Sequence, residues 1–479
     1  MGIVVGRSRD IKRRDFIIVL YMDKKIVLPK GFEEEVRGVI GDGEWNAFVD
    51  ALAEEASVSI RVNSKITDYR LQITNNGQLA AVKWCEWGRY LAERPKFTYD
   101  PVFHAGAYYV QEASSMFVWQ ALEQYVAKDA VVLDMCAAPG GKSTLIAQYL
   151  AKEGFLVSNE YVPQRAHVLV ENMTKWGAPN ALVTNNAPRH FEKLKMKFDA
   201  ILVDAPCSGE GMFRKDERAR EEWSPENVAM CVERGREILE SAWEVLKPGG
   251  VLIYSTCTFN RKENEEQVQW LIDEMGAEYL PIMIGEDWMI TETERGYRFL
   301  PHKTRGEGLF LVAVRKNGIE KGELIDNSRG KNKKDKKAKQ TAFNSQKSIV
   351  DLLEGDFVVM ECEGKLHAVQ CAREELVTEC RKVLNVLAFG VQLFEQKGKD
   401  LIPQAALAMS QVYKRGAYPE AELGYEEALS FLRREAIVLD ANVPRGFVLV
   451  TYDGLPLGWV KNIGNRSNNL YPEYWRIRN

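Results

Sequence analysis

VLDMCAAPGGKS (residues 132–143) decides the fold: an apolar run, a turn built from small residues and glycines, and the start of a helix. Small residues let the backbone approach a ligand closely, and a helix N-terminus offers it free N–H groups. Two ligand classes compete for such a loop. Gly141, Lys142 and Ser143 match the end of the phosphate loop GxxxxGK[ST], and ILVD (201–204) fits a strand carrying a magnesium-binding Asp. The first glycine of that motif falls on Cys136, however, whose Cβ suits a phosphate cradle poorly. In the rival reading the second strand ends at Glu160, where a carboxylate accepts hydrogen bonds from ribose hydroxyls. That arrangement holds an adenosine rather than a triphosphate. The loop alone leaves both open.

Outward from the loop, short apolar runs alternate with helical stretches. They are AVVLDM (130–135), FLVSNEY (155–161), ALVTNN (181–186), DAILVDAP (199–206), GVLIYSTC (250–257) and LFLVAVRK (309–316). Strands this apolar point to a parallel sheet covered on both faces, an α/β Rossmann-like core. Before it, residues 1–110 read as an α/β extension, with one helix expected over 32–56 and a strand in VSIRVN (58–63). The core is expected over 111–317. RGKNKKDKKAKQ (329–340) can bury nothing, so 318–347 is expected to be a flexible basic linker. Order resumes in an intermediate domain over 348–415. Over 416–479, glycine turns between alternating residues suggest a small β-rich module.

Composition bounds the partners. A chain of 479 residues exceeds one core, and 46% apolar with 28% charged residues is ordinary for a soluble protein. The formal charge of −4 argues against a uniformly basic nucleic-acid binder but leaves room for a local basic surface. The eight cysteines form no CxxC pair, so neither a disulfide framework nor a structural metal site is expected. Cys362, Cys371 and Cys380 read as small buried residues. FIIVLY (16–21) is far too short to span a membrane, and a cytoplasmic location is expected.

Two further motifs carry the chemistry. DAPCSGEG (204–211) and YSTCTFNRKENE (254–265) each follow a core strand, and ligands sit at the carboxyl ends of such strands. A single cysteine there is more often packing than catalysis. Two of them, Cys207 and Cys257, each beside Asp, Ser or Thr, reverse that balance. C5 of cytosine is too weak a nucleophile to take a methyl group from a sulfonium unaided. Thiolate addition at C6 makes C5 electron-rich, and one hard step becomes several easier ones. Asp204 is placed to hydrogen-bond or protonate N3 as the adduct forms. Methylation of an exocyclic amine needs no thiol.

These motifs closely resemble the Sun/RsmF family of RNA 5-cytosine methyltransferases. The resemblance runs from about Ser59 to Lys316 through SIRVN (59–63), YVQEASSM (109–116), DMCAAPGGKS, NEY, DAPCSGEGMFRKD (204–216), WSPE (223–226), LKPGG (246–250), STCTFN (255–260) and PHKTRGEG (301–308). It implies S-adenosylmethionine as cofactor, Cys257 as the nucleophile and Cys207 as the partner in product release. Cys136, Ala137, Ala138, Pro139, Gly140, Gly141, Lys142, Glu160 and Asp204 would line the cofactor site, supported by Arg165. LNVLAFGVQLFEQKGKDLIPQAALAMS (384–410) and the end of the chain resemble the intermediate and PUA-like RNA-binding modules of RsmF-type members. Ribosomal RNA, or a small ribosomal subunit, is therefore the expected partner. The same chemistry on tRNA, and a ribosome-assembly factor that acts by binding, are the alternatives.

This chain departs from the family pattern in places. TNNAPRH (184–190) lacks an acidic residue near the adenine, which leaves Asn186 as a contact through its side-chain amide. Gly235 stands where the family tends to have Gln. MDKKIVLPKGF (22–32) resembles the usual start, so translation is expected to begin at Met22. RNA contacts are expected from Arg61, Asn63, Arg214, Lys215, His302 and Lys303, and in the C-terminal module from Trp459, Lys461, Asn462 and Tyr471.

Overall fold

The apolar runs become strands of one mixed sheet in the structure, a computed structural model that describes residues 16–21, 24–65, 79–150, 152, 154–318 and 349–478. Met22 and the linker segment 329–340 lie outside the described residues. The central strands are β1 (Val131–Asp134), β2 (Phe155–Asn159), β3 (Ala181–Thr184), β4 (Phe198–Asp204) and β5 (Leu246–Thr256), all parallel. Beyond them come β6 (Ala277–Leu280), β7 (Thr291–Thr293), β8 (Gly296–Phe299), β9 (Leu309–Lys316) and β10 (Val386–Phe389). The order is β7-β8-β9-β5-β4-β1-β2-β3-β10, with β6 also on β9. The sheet is thus not parallel throughout. LFLVAVRK (β9) runs antiparallel to β5, and likewise to its other neighbours β8 and β6, so this edge is an antiparallel meander rather than a helical crossover.

Helices cover both faces. On one lie α1 (Gly141–Leu150) and α2 (Pro163–Trp176), burying Leu145, Ile146, Leu169 and Met173 against the sheet. On the other lie α3 (Pro225–Val245) and α4 (Glu265–Asp273), burying Leu239, Ala242, Val268 and Leu271. The strand order reverses between β1 and β4, which opens a crevice at their carboxyl ends. Among the described residues no helix is long and apolar enough to cross a membrane.

The flanking regions close around this core. The expected helix over 32–56 is two, Phe32–Ile40 and Trp45–Ala53, because Gly41 at φ +83° leaves helical geometry. Their aromatic face packs on the core, together with Ile26 and Leu28 of the N-terminal hairpin strand Lys24–Pro29. Phe32 lies 4.9 Å from Phe213 and Phe48 lies 5.1 Å from Phe259, ring centre to ring centre. Strand Val58–Val62 sits inside a separate four-stranded antiparallel sheet.

The C-terminal region is not merely tethered. β10 extends the central sheet by pairing with β3, and Cys380 is buried in the same core, whereas Cys362 is half-buried and Cys371 exposed. The last module is a four-stranded sheet with helix Tyr425–Leu432. Gly177, at the end of α2, is where this region meets the core. Its φ is +78°, and a Cβ there would lie 2.0 Å from the Met409 carbonyl oxygen. Gly177→Ala should therefore cost more than about 2 kcal/mol, combining left-handed strain with a backbone clash. Chemical denaturation checks this; an unchanged midpoint would mean that the contact yields freely.

Candidate active site

The loop after β1 folds over the ends of β1 and β2. Ala137 and Ala138 are buried, and the Ala137 N–H donates to the Asn159 carbonyl (2.8 Å). Asn159 ties three strand ends together. Its amide donates to the Met135 and Asn186 carbonyls (3.1 and 3.0 Å), and its oxygen accepts from the Thr184 hydroxyl (2.8 Å). From α2, Asn172 donates to the Pro139 carbonyl (2.8 Å) and Arg165 to the Ala138 carbonyl (2.8 Å). At Gly140 (φ +118°) a Cβ would press to 3.2 Å from Leu169, so the turn needs glycine.

Carboxylates surround this turn. Asp134 is fully buried, with one oxygen accepting from the Ser143 hydroxyl (2.6 Å) and the other without a partner. Glu160 accepts from the Val162 N–H (2.8 Å) and faces Arg165 at 3.6 Å. Burial, and then the charges of Asp134, Asp204 and Glu160, hold the Cys136 thiol well above its ordinary range. Lys142 Nζ contacts Asp204 at 2.7 Å, and Asp204 also accepts from the Ser255 hydroxyl (2.8 Å). Burial alone would lower Lys142, but Asp204 outweighs it and raises the ammonium above its ordinary value. The loop lysine is thus already paired, and the lining is acidic. Such a site repels a triphosphate and suits a ligand bearing a sulfonium and an ammonium.

The two cysteines meet across the crevice. Cys207 Sγ and Cys257 Sγ are 3.2 Å apart, and the Cys257 N–H donates to Cys207 Sγ (3.3 Å). Both are half-buried. The hydrogen bond to Cys257, then burial, holds the Cys207 thiol well above its ordinary range. Cys257 also lies within electrostatic range of Lys142.

Three models of known families match the chain. Residues 122–315 match "16S rRNA methyltransferase RsmB/F", residues 28–113 the N-terminal domain of 16S rRNA methyltransferase RsmF, and residues 418–477 the RsmF PUA domain. Ribosomal RNA small subunit methyltransferase F of Aliivibrio salmonicida is 31% identical over 94% of this chain and 98% of its own. The protein of that name from Klebsiella pneumoniae is also 31% identical, over 94% and 97%. The chain belongs to the RsmF family of methyltransferases. A methyltransferase homologue from Pyrococcus horikoshii shares the fold at a TM-score of 0.51 and 29% identity, over 59% of this chain and 93% of that one. A second structure, NSun6 from Pyrococcus horikoshii with SFG, shares the fold at a TM-score of 0.53 and 22% identity, over 61% of this chain and 99% of that one. S-adenosylmethionine is the cofactor of this family, and the free buried oxygen of Asp134 and the acidic lining fit it.

In this RsmF-family chain several expected contacts have other partners. The Asn186 side chain accepts from the Asn385 N–H (3.1 Å) and donates to the Asn385 carbonyl (3.2 Å), so its amide is spent on holding β10. Arg61 is not available to RNA. It is fully buried, bonded to Gln111 (2.8 Å) and Thr144 (2.5 Å), and stacked on Trp176. Asn63 is buried against the Gly106 and Trp176 carbonyls. Arg214 is sequestered by Glu307 (2.9 Å), with Lys215 at 3.5 Å from the same carboxylate, while His302 and Lys303 share Glu44. In the PUA domain Trp459 and Tyr471 are core residues, and Asn462 holds the 443–444 turn. Lys461 stays partly exposed, 3.6 Å from Asp400. Gly235 is buried in α3, close to the Tyr254 hydroxyl.

Burial pushes the Asp134 carboxyl from 3.8 up to about 7. A carboxyl raised by folding stabilises the protein below its unfolded pKa, and that contribution is lost as pH rises through 7. Asp134→Asn should therefore raise the melting temperature of the ligand-free protein at pH 8, the gain shrinking as pH falls towards 4. Saturating S-adenosylmethionine, a cation, should remove the gain. Thermal melts from pH 5 to 8 check this; a gain that grows towards acid would contradict it.

Proposed function

We propose that this chain methylates C5 of a cytosine in 16S ribosomal RNA through a covalent bond between Cys257 and C6. The observation that carries the reading is the pair of sulfurs 3.2 Å apart beside the Lys142–Asp204 ion pair. Methylation of a ring nitrogen or an exocyclic amine has no use for two thiols.

When bound, S-adenosylmethionine supplies an electrophilic methyl group. The 136–142 turn, Glu160 and Asp134 would hold it, with Arg165 bracing the turn and Glu160. The Cys257 thiolate adds to C6, and electron density moves to C5 and N3. Asp204, fixed by Lys142 and Ser255, is placed to pass a proton to N3 as negative charge develops there. After transfer a base removes the C5 proton, the S–C6 bond breaks and the thiolate leaves. Cys207, held as a thiol in contact with Cys257, is placed to assist that departure. The PUA domain supports an RNA substrate, and the near full-length similarity to small-subunit methyltransferases supports 16S RNA.

Bisulfite sequencing of total RNA from a deletion strain tests this. Loss of one cytosine mark in 16S RNA, restored by the wild-type gene and not by Cys257→Ala, is expected. A mark lost only from tRNA would overturn the ribosomal assignment. Full rescue of the strain by Cys257→Ala would favour an RNA-binding assembly role.

A further inference from the structure

We infer that Glu263 is a positioning residue that sets Cys207 against Cys257 by gripping Ser208, the residue next to the release thiol. The inference rests on the roles proposed above for the two cysteines.

Glu263 lies in the turn just before α4 and is almost wholly buried, and its carboxylate reaches the loop after β4. One oxygen accepts from the Ser208 N–H (2.9 Å). The other accepts from the Ser208 hydroxyl (2.5 Å) and the Asn260 amide (2.7 Å). The Asn260 oxygen accepts from the Glu263 N–H (2.9 Å), so that amide cannot turn over. Tyr254, from β5, donates to the Glu263 carbonyl (2.6 Å). A second buried carboxylate works from the opposite side. Glu210 accepts from the Phe259 and Asn260 N–H groups (2.7 and 2.9 Å), from the Asn260 amide (2.9 Å) and from Trp223 (2.9 Å). Finally, the Gly211 N–H donates to the Cys257 carbonyl (2.8 Å).

Each cysteine loop therefore carries a carboxylate bond to the other. A buried carboxylate receiving this many donors is a rigid support, and rigid support is what a 3.2 Å sulfur contact between two loops requires. Glu263 itself touches neither sulfur; it acts through Ser208.

Glu263→Gln separates this role from general packing. Whichever way the new amide faces, its NH2 group meets a donor, either the Ser208 N–H or the Asn260 amide. The register of Cys207 should then slip while Cys257, Lys142 and Asp204 keep their places. Full-length Glu263→Gln would be incubated with S-adenosylmethionine and either 16S RNA or 30S subunits from a deletion strain. Turnover should fall about 10- to 100-fold, and a denaturation-resistant protein–RNA adduct should accumulate, as expected when a reacting group shifts by an ångström. S-adenosylmethionine affinity should stay within about twofold of wild type, since no cofactor contact is altered. Loss of turnover with no adduct, or with cofactor affinity lost in step, would overturn the inference.

If Glu263→Gln does not fold, Ser208→Ala decides, since it removes the hydroxyl bond and spares the N–H bond. Adduct accumulation in that variant supports the positioning role, and wild-type release overturns it. Cys207→Ala runs in parallel. Should it fail to accumulate adduct, the release role itself falls; should it accumulate adduct while Glu263→Gln does not, only the positioning role falls.

Discussion

Cys257→Ser should abolish methyl transfer, with turnover reduced by at least about 10⁴-fold and S-adenosylmethionine affinity within about twofold of wild type. The size follows from the chemistry. Without a bond to C6, cytosine C5 has too little electron density to attack, and a serine hydroxyl is a far weaker nucleophile than a thiolate. Cys207 is a poor substitute, because burial raises its thiol even without the Cys257 sulfur beside it. Cofactor binding is spared because the turn, Glu160 and Asp134 all lie on β1 and β2 or follow them, whereas Cys257 follows β5. Transfer of labelled methyl from S-adenosylmethionine to RNA measures the first effect and calorimetry the second. A variant that keeps a tenth of wild-type turnover would reduce Cys257 to a packing residue.

Asp204→Asn has the second largest effect, lowering turnover by about 10²- to 10⁴-fold. Asp204 Oδ2 meets Lys142 at 2.7 Å and Oδ1 accepts from Ser255. An asparagine keeps one acceptor but leaves the largely buried Lys142 ammonium without its counter-charge. An asparagine also cannot carry a proton to N3 as negative charge develops there. Lys142→Met should cause a comparable loss, and the double variant should lose much less than the product of the two, because the pair acts as one unit. Steady-state kinetics on 16S RNA or 30S subunits tests this. Fully multiplicative losses would show that the two residues act separately.

Much of the site was legible in the primary structure because its residues cluster at strand ends, and strand ends are visible as apolar runs. DMCAAPGGKS, DAPCSG and YSTC each follow such a run, so their meeting at the carboxyl edge of a sheet follows from β-α alternation. What failed depended on partners remote in the chain. Arg61 looks like a surface cation until Gln111, Gln148 and Thr144 enclose it. The amide of Asn186 looks free until Asn385, 199 residues away, takes both its ends. The direction of β9 was hidden because apolar strands read alike in either orientation, and only its antiparallel pairing with β6 and β8 reveals it. Glu210 and Glu263 stood inside quoted motifs, but two acidic residues in polar loops carry no sign that they will be buried as acceptors. Asn159 offered a faint signal, a lone amide ending an otherwise apolar strand.

In the proposed cycle Cys257 bonds to a cytosine during each turnover and Cys207 helps to free it. Mass spectrometry of Cys207→Ala, digested after incubation with RNA and S-adenosylmethionine, tests it most directly. A nucleotide attached to the peptide containing Cys257, and absent when Cys257→Ala is added, is the predicted result. An adduct of equal abundance in the single and double variants, or full turnover by Cys207→Ala with no adduct at all, would contradict it.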